Sequence, residues 1–304
     1  MRSAPSSPAH GGIPRRALLL LALLTLVWGT NWALFPIAMR EVSVWTFRAV
    51  SALGAGCTLL AVAHWRGQPL AIPRRHWPTI ALATFFYLVL WNVASAYAAL
   101  MIPSGQAAVL GFTMPLWAAL IGWAVLGERL GPRLLLALAL GAAAVALLAW
   151  RSLGAYAQAP LGVALGLLAG IGWAVGTMIL KRSGVVVPAL VLTGWQLLAT
   201  ALPIGLGALV LGDGHWFMPS WTSIGLIVYI TLVPMAIGNA AWFAIVGLLP
   251  TSVAGLSSIL VPVVAMLAGA WVHGEPLGAA QWAAMACCAG ALRLALVPPA
   301  RPLK

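Results

Sequence analysis

The sequence predicts an all-α membrane protein of ten transmembrane helices, arranged as two five-helix repeats of inverted topology. Three observations predict it. Of 304 residues 63% are hydrophobic and only 7% charged, with a mean hydropathy of +1.03, which leaves too little polar surface for a soluble domain. Ten continuous apolar runs reach the length of roughly 20 residues that a bilayer-spanning helix requires. Finally, a shift of 147 positions lays Pro103, Pro115, Gly127, Glu128, Leu130 and Gly131 on Pro250, Pro262, Gly274, Glu275, Leu277 and Gly278. The chain has only four acidic residues and two coincide under that shift, so chance is a poor explanation.

In order along the chain, residues 1–16 form a tail rich in Ser, Pro and Gly, for which disorder is expected. Arg15-Arg16 before a leucine-rich run imitates a signal peptide, but the run continues to about Ala38 with no small-residue cleavage site behind a short core, so it reads as a retained first span. The spans of the first repeat (17–150) fall near 17–38, 44–65, 79–100, 105–126 and 132–150. Those of the second (160–297) fall near 160–181, 187–211, 221–246, 252–273 and 278–297, followed by a tail over 298–304. Runs without period-two alternation favour helices over barrel strands. A period near 150 is too long for a solenoid and marks a duplicated domain. The same frame pairs Asn92 with Asn239 and Thr84 with Thr231; small slips pair Phe47-Arg48 with Trp195-Gln196, and Gly29 and Trp32 with Gly170 and Trp173.

Orientation follows from the basic residues. Arg2, Arg15, Arg16, Arg66, Arg74, Arg75, Arg129, Arg133, Lys181, Arg182, Arg301 and Lys304 fall on one side, and only Arg40 and Arg151 on the other, which makes both termini cytoplasmic. Because five is odd, the second repeat enters from the opposite face, and inverted repeats of this kind carry a substrate site at their interface near the midplane. The net charge of +12 is accounted for by this topology, with no continuous basic face for nucleic acid. Cys57, Cys287 and Cys288 all lie in apolar runs and form no disulfide framework or metal spacing; no cofactor is implied.

The segment Trp28-Gly29-Thr30-Asn31-Trp32, the pair Phe47-Arg48 and the Gly-Glu-x-Leu-Gly turn closing spans four and nine resemble the EamA branch of the drug/metabolite transporter superfamily. The resemblance covers all ten spans. In length and tryptophan-rich spans the chain is similar to YddG-type aromatic amino acid exporters. This resemblance implies efflux of small metabolites across a bacterial-type inner membrane.

Several residues are candidates for the transport path. Pro115 and Pro262, near the middle of spans four and nine, remove a backbone donor and free carbonyls, as a packing kink or as a hinge or cavity wall. Thr84, Tyr87, Trp91 and Ser95 share a stripe on span three with Asn92 at its edge; Thr231, Pro234, Gly238 and Trp242, with Asn239, form the matching stripe of span eight. Each asparagine, and Asn31 between Trp28 and Trp32, either bonds another helix or meets substrate. Gln106, Thr113 and Trp117 share a face of span four where the second copy has Val253, Leu260 and Val264, an asymmetry suited to a solute with one polar and one apolar end, or to helix packing. Of sixteen tryptophans, Trp45, Trp65, Trp77, Trp150, Trp216 and Trp221 lie near span ends as an interfacial belt. Trp28, Trp91, Trp117 and Trp173 lie deeper and either pack or cage an ammonium group or an aromatic ring. Arg48, one turn inside span two, reads as snorkelling to the headgroups in preference to binding a carboxylate, with Gln196 at the paired position.

No Asp, Glu, Lys or His falls near a span centre, so facilitated movement is expected in place of proton or sodium coupling. The favoured reading is a transporter of small neutral metabolites, foremost aromatic and other neutral amino acids, working by alternating access, with the lipid bilayer and the solute as its partners. Efflux of organic cations or other metabolites is the alternative. An intramembrane enzyme would need a nucleophile with its base, a metal cluster or paired carboxylates, and no such grouping is visible; a channel or lipid flippase ranks third.

Overall fold

A computed structural model describes residues 15–127, 131–151, 157–212, 218–248, 260–274 and 277–296, and every regular element among them is helical. The first half contains α1 (Arg15–Ala38) and α2 (Val44–Trp65), the latter capped by Ser43, whose hydroxyl accepts from Thr46 N. The third span is α3 (Trp77–Thr84), a π-helical turn over Phe85–Leu90 and α4 (Trp91–Met101). The fourth is broken into α5 (Ser104–Gly111) and α6 (Met114–Leu126), and α7 (Pro132–Arg151) follows. The second half contains α8 (Pro160–Arg182), α9 (Ala189–Leu211), α10 (Trp221–Ile230), a π-helical turn over Thr231–Gly238, α11 (Asn239–Leu248), α12 (Val261–His273) and α13 (Ala279–Leu296). Most of the first half of the expected ninth span, Trp216, both acidic turns at Glu128 and Glu275, residues 1–14 of the first tail and the whole of the second lie outside the described residues, while Arg15 and Arg16, expected in the tail, begin α1.

Among the described residues, seven helical runs are long and apolar enough to cross a membrane, and two more apolar helices, Pro132–Leu147 and Val261–His273, are shorter. Their outer faces carry what water would reject: Leu202, Leu206, Leu209 and Val210 of α9 are all exposed, as are Leu18, Leu19, Leu23 and Leu26 of α1. Trp65, Trp150 and Trp221 project from helix ends, as an interfacial belt requires. The chain is a multi-pass membrane protein.

The two halves share helix starts. Pro115 does not kink a continuous helix, since the turn at Phe112-Thr113 separates α5 from α6. Pro115 and Pro262 are each the second residue of their helix, α6 and α12, where proline's missing N–H has no intrahelical duty. Both helices have 13 residues and end on glycine in the left-handed region, Gly127 at φ 65° and Gly274 at φ 67°. The π turns also match, since Phe85–Leu90 shifted by 147 falls within Thr231–Gly238. In each, a side-chain amide bonds the widened backbone: Asn92 Nδ2 donates to Leu88 O and Asn239 Nδ2 to Met235 O, both at 2.8 Å.

Packing exchanges helices between the halves. Whereas α2 packs on α9 and α7 on α13, α1 lies along α10–α12 of the second half, and α8 along α3–α6 of the first. Small residues set these crossings. A Cβ on Gly56 would approach Gly194 O to 3.0 Å, while Trp45 near the start of α2 meets Gly207 near the end of α9, so these equivalent helices run antiparallel. The Gly162, Gly166 and Gly170 series of α8 faces Met101, Leu110 and Gly111 of the same chain. α7 and α13 build a separate small core around Ala137, Ala144, Ala284 and Cys288.

Candidate functional site

At the seam of the two halves lies a cavity with about 50 Å³ of free space. It is bounded by α1, α2, α4, α8, the start of α11, the two π turns and the turn after α5, so both repeats contribute to it. Its polar lining is Asn31, Arg48, Asn92, Ser95 and Asn239; its aromatic lining is Trp28, Trp32, Phe35, Trp91, Phe112 and Trp173. That space holds a few waters and is far smaller than the several hundred Å³ of a typical small-molecule pocket, so this conformation is closed around its centre.

Aromatic rings close it. Trp173 is the hub, with ring centroids 4.2 Å from Tyr87, 4.7 Å from Trp91, 5.4 Å from Trp28 and 5.8 Å from Trp242. Phe112 and Trp32 extend the cluster, 5.7 and 6.2 Å from Trp91. The contacts are edge-to-face or tilted, the arrangement aromatic quadrupoles prefer. The periodicity of α4 puts Trp91 on this face, and Gly111 makes room for it: a Cβ there would lie 3.1 Å from the indole.

The expected site residues divide into three groups. Trp28, Asn31, Trp91, Asn92, Trp173 and Asn239 line the cavity. Tyr87 and Trp242 stand behind its wall, buried against Trp173. Gln106, Thr113 and Trp117 lie elsewhere. Thr113 Oγ1 donates to Leu110 O at 2.6 Å and accepts from Trp117 Nε1 at 3.0 Å, while the Gln106 Oε1 is buried without a partner among the described residues. Thr113, Pro115 and Pro262 border a second void, of about 20 Å³, toward α7 and α13.

Hydrogen bonds tie the wall across the repeats. Trp28 Nε1 of α1 donates to Pro234 O in the second π turn at 3.0 Å, and Tyr87 Oη in the first π turn donates to Asn239 Oδ1 at 3.0 Å. The second π turn thereby accepts a bond from the first half and the first π turn donates one to the second half. Asn31 Oδ1, Arg48 Nε and Trp173 Nε1 are buried with no partner among the described residues, although all three residues line the cavity.

Arg48 is the main addition to the expected site. It does not snorkel: it is 4% exposed and lines the cavity, with its guanidinium carbon 4.9 Å from the Phe35 ring centroid and 5.2 Å from that of Phe47. The signal in the sequence was the charge itself, inside a span. Phe35, four residues after Asn31, and Phe112 also line the site without having been singled out.

With this geometry in hand, known proteins decide the family. A model of the EamA-like transporter family matches residues 15–150 and, a second time, residues 160–297. The chain belongs to the EamA-like transporter family. It is similar to the uncharacterized protein PA1977 of Pseudomonas aeruginosa, with 31% identity over 291 residues, covering 93% of this chain and 96% of that one. It is also similar to the uncharacterized inner membrane transporter YedA of Escherichia coli, with 26% identity over 267 residues and coverage of 87% and 85%. A probable amino-acid metabolite efflux pump of Escherichia coli is 24% identical over 276 residues, with coverage of 88% and 90%. One solved structure, described only as a crystal structure of a protein, shares the fold of this EamA-family chain, with a TM-score of 0.70 at 23% identity over 92% of this chain and 96% of its own.

Proposed function

We propose that this membrane transporter exports small neutral metabolites, foremost aromatic and other neutral amino acids, across the inner membrane. In this reading the solute moves by alternating access through the seam cavity. The observation that carries the reading is that cavity: amide, hydroxyl and guanidinium groups share it with indole and phenyl rings, at the junction of two halves that exchange helices. Such a lining suits a solute with one polar and one apolar end. The likeness to a probable amino-acid metabolite efflux pump supports the substrate class, and the likeness to an inner membrane transporter supports the compartment.

The architecture in this proposal is ten spans in two inverted repeats, 17–150 and 160–297, with both termini cytoplasmic and short tails over 1–16 and 298–304. The antiparallel course of α2 and α9 and the matched helix starts at Pro115 and Pro262 support it. These starts would serve as hinges, since the helix-to-helix turn at Phe112-Thr113 can absorb rotation that a continuous helix cannot. No Asp, Glu, Lys or His lines the cavity among the described residues, which favours facilitated movement.

Counterflow in proteoliposomes tests the reading. Vesicles preloaded with unlabelled tryptophan should accumulate labelled tryptophan transiently, Trp91→Ala and Trp173→Ala should raise the half-saturating concentration roughly tenfold through lost stacking, and Trp117→Ala should leave it near wild type. Accumulation driven against the solute gradient by a pH gradient would overturn facilitated movement. Labelled organic cations exchanged in preference to amino acids would replace the substrate class; the aromatic walls favour that second reading, and Arg48 in the cavity opposes it.

A further inference from the structure

The charge balance of the cavity identifies one end of the solute. Arg48 is buried, its Nε–H has no acceptor among the described residues, and it faces a cavity whose described lining contains no carboxylate. The single described acid, Glu41, bonds Ser220 in a loop at the end of the bundle. The guanidinium lies against the rings of Phe35 and Phe47, which attract a cation through their faces and leave its Nε–H without an acceptor among the described residues. An uncompensated cation inside a membrane protein is costly, and at such a position it marks a binding function.

Resting on the amino-acid reading above, we infer that Arg48 is the carboxylate subsite of the cavity, with Asn31 Oδ1 accepting from the ammonium group of the same solute. The guanidinium fork matches a carboxylate with two parallel hydrogen bonds, which a lysine cannot reproduce. Asn31 Oδ1 is likewise buried and unpartnered, and it lines the same cavity. Asn31 precedes Phe35 by one turn of α1, about 6 Å along the axis, and Phe35 lies against the guanidinium. One unpartnered acceptor and one cationic fork therefore line the same cavity, the pair of groups that the ammonium and carboxylate of an α-amino acid require. The side chain then points to Trp91, Trp173 and Phe112. The repeat-equivalent Gln196 is buried but uncharged and lies outside the lining, so the cavity has one cationic pole and binds its solute in one orientation.

The test is binding to the full-length protein in lipid nanodiscs, by calorimetry, with three probes: tryptophan, tryptophanamide, which lacks the carboxylate, and indole-3-propionate, which lacks the ammonium. Wild type should bind tryptophan at least tenfold more tightly than the amide. Arg48→Gln should weaken tryptophan tenfold to a hundredfold and abolish its advantage over the amide, while Arg48→Lys keeps part of that advantage. Asn31→Ala should erase the advantage of tryptophan over indole-3-propionate. Wild type binding the amide as tightly as the acid overturns the inference without any variant, which covers an Arg48→Gln protein that fails to fold. Tryptophan bound equally by wild type and Arg48→Gln overturns it while leaving the amino-acid reading standing. Arg48-dependent binding of indole-3-propionate alone overturns the amino-acid reading and the role of Asn31 while leaving Arg48 a carboxylate site, and absence of binding by all three probes overturns both the reading and the inference.

Discussion

An amide in hydrocarbon needs acceptors for its hydrogens, and Asn92 meets that need within its own helix by donating Nδ2 to Leu88 O. Its twin Asn239 does the same with Met235 O and also accepts from Tyr87. Both residues therefore hold a π turn open as well as lining the cavity, and the two duties separate by experiment. Asn92→Leu should lower unfolding free energy by about 1 kcal/mol, the scale of such bonds in membranes, read as a lower melting temperature in detergent. An unchanged melting temperature would leave Asn92 with the cavity role alone. The deep tryptophans were legible in the sequence because helical periodicity gathers Trp91 with its stripe and the repeat pairs Trp32 with Trp173. Arg48 was legible only as a charge. One turn from a span end is where a snorkelling arginine also sits, and what buries this one is α1 lying across α2's neighbours, a tertiary event that no spacing encodes. Trp117 looked like Trp91 in sequence, yet its indole bonds Thr113 on its own helix.

At the scale of the helix, Pro115 and Pro262 were visible as prolines but not as helix starts, because apolar character runs unbroken through Phe112 and Thr113. Proline at 115 leaves Gly111 O without its α-helical donor, and α8 approaches that carbonyl closely. A Cβ on Gly170 would stand 2.8 Å from Gly111 O and 2.9 Å from Thr113 Oγ1, both fixed atoms. Gly170→Ala should therefore destabilise by about 1 to 3 kcal/mol through overpacking. Gly225→Ala in α10, where a Cβ meets nothing within 4 Å, should be neutral or stabilising by about 0.5 to 1 kcal/mol through helix propensity. Thermal unfolding of the two variants checks the pair; equal melting temperatures would mean that α8 can yield.

For the molecule as a whole, the duplication was readable from the 147-residue frame, since rare residues such as Glu and Pro coincide under it, and the family model matches the chain twice. The exchange of first helices was not readable, because both faces of α1 are apolar and its pattern does not say which half it joins. A polar latch also joins the halves: Glu41, between α1 and α2, accepts from Ser220 N at 2.7 Å and Ser220 Oγ at 2.8 Å, at the start of α10. The backbone and hydroxyl hydrogen bonds from Ser220 hold the Glu41 carboxyl below its usual value of 4.5. A carboxyl lowered on folding contributes stability that is complete above 4.5 and is lost as pH falls through the lower folded value. Melting temperature should thus fall more steeply for wild type than for Glu41→Gln between about pH 5 and pH 3; parallel profiles would assign the latch no weight.

The exchange of α1 also sets an order of birth. This helix leaves the ribosome well before its partners α10, α11 and α12, which are made after roughly 200 further residues, on the order of 10 to 40 seconds later at ordinary translation speed. Until then Gly29 and Asn31 have no neighbours from the second half, and α1 has its contacts with α4 and α5 of the first. The seam between the halves is therefore assembled last, so a nascent chain arrested midway has no complete cavity.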